Sequence, residues 1–258
     1  MTPAPDRDVG DVVPRKRPML LVLHQEHSTP GRVGTRLRAL GHPLDIRRPR
    51  FGDKLPHSLD GHAGAIVFGG PMSVNDSEDF VRQEIDWLSV PLAEGAPFLG
   101  LCLGAQMLAS HLGAAVGPHA DAHVEVGYYG LRPTEAGAKL IDWPDRVHHF
   151  HREGFALPQG ATLLAEGEVT ANFLNQAFSY GPAAFAIQFH VELTTAMVNR
   201  WTTRSTERGP RPGAQATPLH FEGRALHDWK TVMFLDRFLD LWLASDARAR
   251  TPLTEAAE

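Results

Sequence analysis

A single cysteine, Cys102, stands among 258 residues, so no disulfide can form within one chain and stability must come from packing. Long hydrophobic runs are absent as well. The longest early one, Met19 to Leu23, is far short of the roughly 20 residues that cross a bilayer. It is also too short for a signal segment, although Arg15-Lys16-Arg17 precede it. Nothing in this reading directs the chain out of the cytoplasm. Positive charge is not in excess: the formal net charge of -5 gives no general attraction to nucleic acid or anionic lipid. Gly31-Arg-Val-Gly34 and the other glycine pairs lack phosphate-loop spacing, so neither a nucleotide site nor an ATP-activating domain has support. No internal repeat is present.

What the chain does have is enough apolar residue, 43%, to bury one sizeable core. Residues 1–17 are polar and contain proline, which predicts a disordered tail before a domain over 18–204. Within that domain Met19 to His24 read as a strand, Gly31 to Leu40 as a helix, and Leu44 to Arg47 and Gly64 to Phe68 as strands. A helix from Phe80 to Glu94 and a strand at Phe98 to Leu101 follow. That alternation predicts an α/β fold, a mainly parallel sheet flanked by helices. From Val124 to Phe189 the pattern turns to short strands between turn residues, which predicts an additional antiparallel β segment. Thr194 to Arg204 read as a helix. Residues 205–258 divide into a Gly/Pro/Arg-rich loop up to Gly223 and an amphipathic helix over Ala225 to Ala244, expected to pack on the domain. The same apolar helix also admits a homodimer face or a docking role.

Cys102 lies between Gly100 and Gly104, at the junction of the strand Phe98 to Leu101 and a helical pattern with apolar Leu103, Met107, Leu108 and Leu112. Small residues two before and two after are the pattern of a nucleophile elbow, in which a tight strand-to-helix turn lifts one side chain. A thiol there faces unpaired helix N-H groups that favour the thiolate. By itself the residue reads first as a buried packing cysteine, and it is the context that favours a nucleophile. Of fourteen histidines, His190 ends the apolar stretch Phe185 to His190, with Glu192 two positions on. On an extended strand those two share a face, so the carboxylate can orient the imidazole, although a surface ion pair would look the same. His148, His149 and His151 offer at most two metal ligands on one strand face and no cysteine, so no metal is expected.

Taken together, Gly100-Leu-Cys102-Leu-Gly104-Ala-Gln106 and Gln188-Phe-His190-Val-Glu192 resemble the class I (triad) glutamine amidotransferases, in particular stand-alone members similar to the glutaminase domain of GMP synthase. Ala65-Ile-Val-Phe-Gly69-Gly70-Pro71, Asn175-Gln-Ala-Phe178 and His149-Phe-His151 agree with that family. Val191 stands where the family carries proline, and His151-Arg152-Glu153 where relatives read His-Gly-Asp. The resemblance implies a flavodoxin-like sheet and a triad of Cys102, His190 and Glu192. It also implies an oxyanion hole from the backbone of Gly70 and Leu103, and substrate contacts from Gln106, Gly69, Tyr128 and His151. No cofactor is implied. The implied substrate is L-glutamine or another γ-glutamyl compound, with an ammonia-accepting synthetase as a partner.

Three functions follow. The first is a glutaminase or amidotransferase component that releases ammonia from glutamine. The second is a γ-glutamyl hydrolase or peptidase using the same triad on a larger leaving amine. The third, of a different class, is a non-catalytic binding module on the same scaffold, which has no chemical need for all three triad residues. An α/β-hydrolase is disfavoured, because its acid precedes its histidine in the chain.

Overall fold

The computed structural model describes residues 16–168, 173–207 and 211–250; of the expected tail over 1–17, all but Lys16 and Arg17 lies outside them. The chain begins with β1 (Met19–Val22), α1 (Gly31–Ala39), β2 (Leu44–Arg47), β3 (Gly64–Val67), α2 (Asp79–Trp87), α3 (Ser89–Glu94), β4 (Phe98–Leu101) and α4 (Leu103–His111). It continues with β5 (Val116–Pro118), β6 (Glu125–Pro133), α5 (Glu135–Leu140), β7 (Arg146–His151), β8 (Glu153–Phe155), β9 (Thr162–Gly167), β10 (Asn175–Tyr180), β11 (Ala184–Ile187), α6 (Thr195–Glu207) and α7 (Thr217–Ala244).

Nine strands form one mixed sheet in the order β2-β1-β3-β4-β11-β10-β9-β6-β7, while β5 and β8 pair separately. The five strands from β2 to β11 run parallel, and every pairing beyond β11 is antiparallel. The fold is therefore α/β as expected, but the antiparallel segment extends the main sheet.

β1 explains how the layers form. All four residues are buried, as in a parallel strand covered on both faces. Met19 and Leu21 join one apolar cluster, Leu20 and Val22 the other, which is the two-residue period of a strand. α7 closes the first of these faces with Phe234, Phe238 and Trp242. Phe238 meets Phe185 edge-on at 5.4 Å and Phe234 lies 4.9 Å from Trp143. Each such ring contributes about 2–3 kcal/mol by burial.

Three expectations are corrected. The helix over Phe80 to Glu94 is two helices, because Pro91 cannot donate a backbone hydrogen bond and its ring crowds the carbonyl four residues back, at Trp87, where α2 ends. α7 starts at Thr217, within the stretch read as a loop. Pro218 falls in its first turn, where a missing N-H costs nothing, and a side chain at Gly223 would run into the Tyr128 ring. Four of the helix's apolar residues, Leu226, Trp229, Val232 and Met233, face outward, on the side opposite Phe234, Phe238 and Trp242.

Candidate active site

The elbow is built by close approach of β4, β3 and α4. A Cβ at Gly100 would strike the Gly104 carbonyl, and one at Gly104 would strike the Val67 carbonyl. Between them Cys102 takes φ 51° and ψ -102°, a left-handed backbone that side-chain-bearing residues rarely adopt, at a cost of about 1–3 kcal/mol. The strain is held by two hydrogen bonds. Cys102 N-H donates to the Ile187 carbonyl at 2.8 Å, and the Cys102 carbonyl accepts from Gln106 N-H at 3.0 Å. The thiol thus stands at the N-terminus of α4, whose dipole favours negative charge.

His190 reaches it from a turn and not from a strand end: β11 stops at Ile187. The pairing with Glu192 arises differently from the sequence reading, since it is a turn that brings the two side chains together. The His190 backbone N-H donates to the His148 carbonyl at 3.0 Å, which fixes the main chain that carries the imidazole. His190 Nδ1 and Glu192 Oε1 are 2.7 Å apart with both side chains buried. His190 Nε2 makes no other hydrogen bond among the described residues and is left for the thiol. Burial works to lower the His190 pKa, but the negative charges of Glu192 and of a Cys102 thiolate, with the hydrogen bond to Glu192, outweigh it and raise it to about 10. The Trp201 ring of α6 covers His190 edge-on at 4.7 Å.

Gly69 and Gly70 follow β3 and face the elbow. A Cβ on Gly69 would press on Cys102 Cβ and His190 Cε1, and one on Gly70 on Leu103 and His24. The backbone amides of Gly70 and Leu103 donate to nothing among the described residues. His24 secures the turn, its Nδ1-H donating to the Gly69 carbonyl at 3.2 Å while Nε2 pairs with Glu84 at 2.7 Å. These groups open into a cavity of about 170 Å³ that Cys102, His190, Gly69, Gly70, Gln106 and His151 all line. Gln106 uses its amide hydrogens on the Glu153 carbonyl at 2.8 Å and Gln188 Oε1 at 3.2 Å, so it braces the wall.

Tyr128 is a correction: it does not line the cavity. Val124 and Val126 do, but two residues further along β6 the Tyr128 ring has passed beneath α7 and packs on His148 at 5.2 Å. Burial raises its phenol pKa.

Beside the cavity, Glu125, His149 and His151 form a second buried polar cluster. Burial pushes the Glu125 carboxyl up, yet His149, His151 and a hydrogen bond from Gln176 more than offset this and hold it at about 2. His149, pushed down chiefly by burial, sits near 3. The sequence offered only the two histidines; Glu125 enters from the neighbouring strand β6, paired opposite His151 of β7. Trp201, His24, Glu84 and Glu125 were all missed by the sequence reading. Only a carboxylate within the apolar face of α2, Glu84, left a signal to follow.

Chemically, the arrangement offers a strained thiol and an imidazole braced by a carboxylate at one cavity, with the Gly70 and Leu103 amides making no hydrogen bond among the described residues. That is the equipment for acyl transfer. Comparison with known proteins agrees. The family model for glutamine amidotransferase class-I matches residues 26–199. The chain is 29% identical over 187 residues to YfeJ, a glutamine amidotransferase-like protein of Salmonella typhimurium, covering 69% of this chain and 76% of that one. It is 33% identical over 144 residues to the glutamine-hydrolysing GMP synthase of Porphyromonas gingivalis, covering 55% of this chain but 27% of that protein. The crystal structure of a Thermotoga maritima glutamine amidotransferase superposes with a TM-score of 0.75 at 26% identity, over 87% of this chain and 97% of that one. A glutamine amidotransferase from Methylobacillus flagellatus, at 24% identity and a TM-score of 0.77 over 94% of this chain and 99% of that one, shares the fold. With the elbow, the ordered motifs and the sheet all in agreement, this chain belongs to the class I glutamine amidotransferase family.

Proposed function

We propose that the protein hydrolyses the side-chain amide of L-glutamine through a γ-glutamyl thioester on Cys102, releasing ammonia and glutamate. The observation that carries this reading is a strained thiol and His190 meeting beside Gly69, with the Glu192 carboxylate 2.7 Å behind the imidazole. The Cys102 sulfur attacks the amide carbonyl while the amides of Gly70 and Leu103 receive the developing oxyanion. The imidazolium of His190 protonates the departing nitrogen, the carbon–nitrogen bond breaks, and ammonia leaves. Water, deprotonated by His190, then cleaves the thioester to glutamate and restores the thiol. Glu192 stabilises the imidazolium, while Gly69 and His151 form the substrate walls. These steps use protein groups alone.

The chain spans about a quarter of the length of the GMP synthases it matches. On this reading, ammonia passes to a separate acceptor synthetase in the cytoplasm. Among the described residues no helix is long and apolar enough to cross a membrane.

A second reading, hydrolysis of γ-glutamyl amides with larger amines, draws on the cavity mouth. Arg152, Arg200 and Arg211 line it and make no ion pair with a carboxylate among the described residues. Purified protein is assayed with L-glutamine and with γ-glutamyl peptides for glutamate, ammonia and free amine. The expected result is ammonia release from glutamine that Cys102→Ala abolishes while the fold persists. Peptide turnover with negligible glutaminase activity would transfer the proposal to the second reading, and full activity in Cys102→Ala would end both.

A further inference from the structure

The cluster of Glu125, His149 and His151 contains a mismatch of hydrogen-bonding groups. His151 Nε2 lies 3.1 Å from Glu125 Oε2 and 3.1 Å from His149 Nδ1, and His149 Nδ1 lies 3.5 Å from the same carboxylate oxygen. His151 Nδ1 is 3.0 Å from the Glu153 carbonyl, which can only accept, so the ring proton of a neutral His151 is committed there. Its Nε2 then presents a lone pair to a carboxylate oxygen. Protonating His151 supplies one hydrogen for two contacts. The deficit extends further: Glu125 Oε1 and His149 Nε2, both buried, have no hydrogen-bond partner among the described residues.

A cation at the centre of the three facing atoms satisfies their three mutual contacts together. Tetrahedral zinc with bonds of about 2.0–2.1 Å places neighbouring ligand atoms about 3.3 Å apart, and the three separations here bracket that value. Two of the three ligands, His151 and Glu125, carry the supporting bonds a metal site uses. His151 donates its far nitrogen to a carbonyl, which fixes the ring and turns Nε2 inward. Gln176 Nε2, anchored also on the Phe173 carbonyl, donates to Glu125 Oε2 at 3.0 Å. His151 lines the Cys102 cavity, which supplies both an entry path and room for a water or other fourth ligand.

From this geometry we infer that Glu125, His149 and His151 form a binding site for one divalent transition-metal cation, zinc-like in preference, separate from Cys102, His190 and Glu192. A bound ion braces the wall that carries His151 and Glu153, and through Glu153 the Gln106 side chain.

Because a thiol also attracts zinc, the test starts from Cys102→Ala. Metal-free protein is titrated with Zn²⁺ against a chromophoric chelator. One equivalent is expected to bind, and Glu125→Gln or His149→Ala in that background should weaken it at least about a hundredfold. Crystals of the Cys102→Ala protein grown with Zn²⁺ provide a readout that needs no second substitution. An anomalous peak among the three ligand atoms supports the site, and that experiment decides if either double variant fails to fold. Absence of stoichiometric binding, binding undiminished in folded variants, or a zinc peak elsewhere only, would overturn it and leave the cluster a proton-sharing network.

Discussion

Replacing Glu192 with glutamine tests whether charge, and not only shape, makes His190 effective. The substitution keeps the size of the side chain and one acceptor oxygen, but removes the negative charge 2.7 Å from His190 Nδ1. At that distance, with an effective dielectric near 20, the carboxylate and imidazolium attract by about 6 kcal/mol. Desolvation of both buried groups returns part of this, and breaking such pairs costs about 3–5 kcal/mol. If the loss falls on the state in which His190 is protonated, kcat/KM drops by roughly a hundred- to several-thousand-fold, at 1.36 kcal/mol per factor of ten.

The pH profile gives the sign. His190 is raised to about 10 because the charges of Glu192 and Cys102 outweigh burial. Below that value the imidazolium persists and can protonate the departing nitrogen; above it the proton is lost. In Glu192→Gln the alkaline limb of kcat/KM should therefore move to lower pH. The acidic limb is followed alongside it. Glutamate release by L-glutamine turnover and the alkylation rate of Cys102, both followed across pH, measure these limbs. A variant within about threefold of the parent, with its alkaline limb unmoved, would refute the linkage between Glu192 and His190.

Two further outcomes concern stability. Cys102→Gly is expected to be about 1 kcal/mol more stable than Cys102→Ala by urea unfolding, because glycine adopts the backbone at φ 51° without strain; equal or reversed stabilities would show the elbow to be relaxed. Glu125 is held at about 2 against 4.5 in the unfolded chain, so its contribution is fully present above about 4.5 and disappears as pH falls toward 2. Acid unfolding in the presence of chelator should show this dependence, on the order of 3 kcal/mol, and Glu125→Gln should flatten it. An unchanged acid slope would separate Glu125 from acid stability.

Local rules carried the first half of the chain further than the second. β1, β3 and β4 are runs of buried residues interrupted by helical patterns, and recognising them as strands needs no knowledge of distant residues. β6, β7 and β9 are strands whose neighbours are chosen by pairing across the second half of the chain, so the reading of an antiparallel segment was correct while its continuity with the main sheet was out of reach. Tyr128 illustrates the limit: the residue pattern places it on β6, but the ring is covered by α7, an element from the far end of the chain.

The sequence by itself made the elbow legible, since glycines at 100 and 104 around one cysteine form a local pattern, although the carbonyl that excludes a side chain at Gly104 belongs to Val67 of β3. It also determined the family, through motifs kept in order. Only the tertiary structure decided which polar groups meet: His190 and Glu192 converge through a turn beyond β11, and Glu125 joins His149 and His151 across a strand pair. Such encounters depend on strand register and loop path, which arise from the whole packed sheet and are carried by no single stretch of residues.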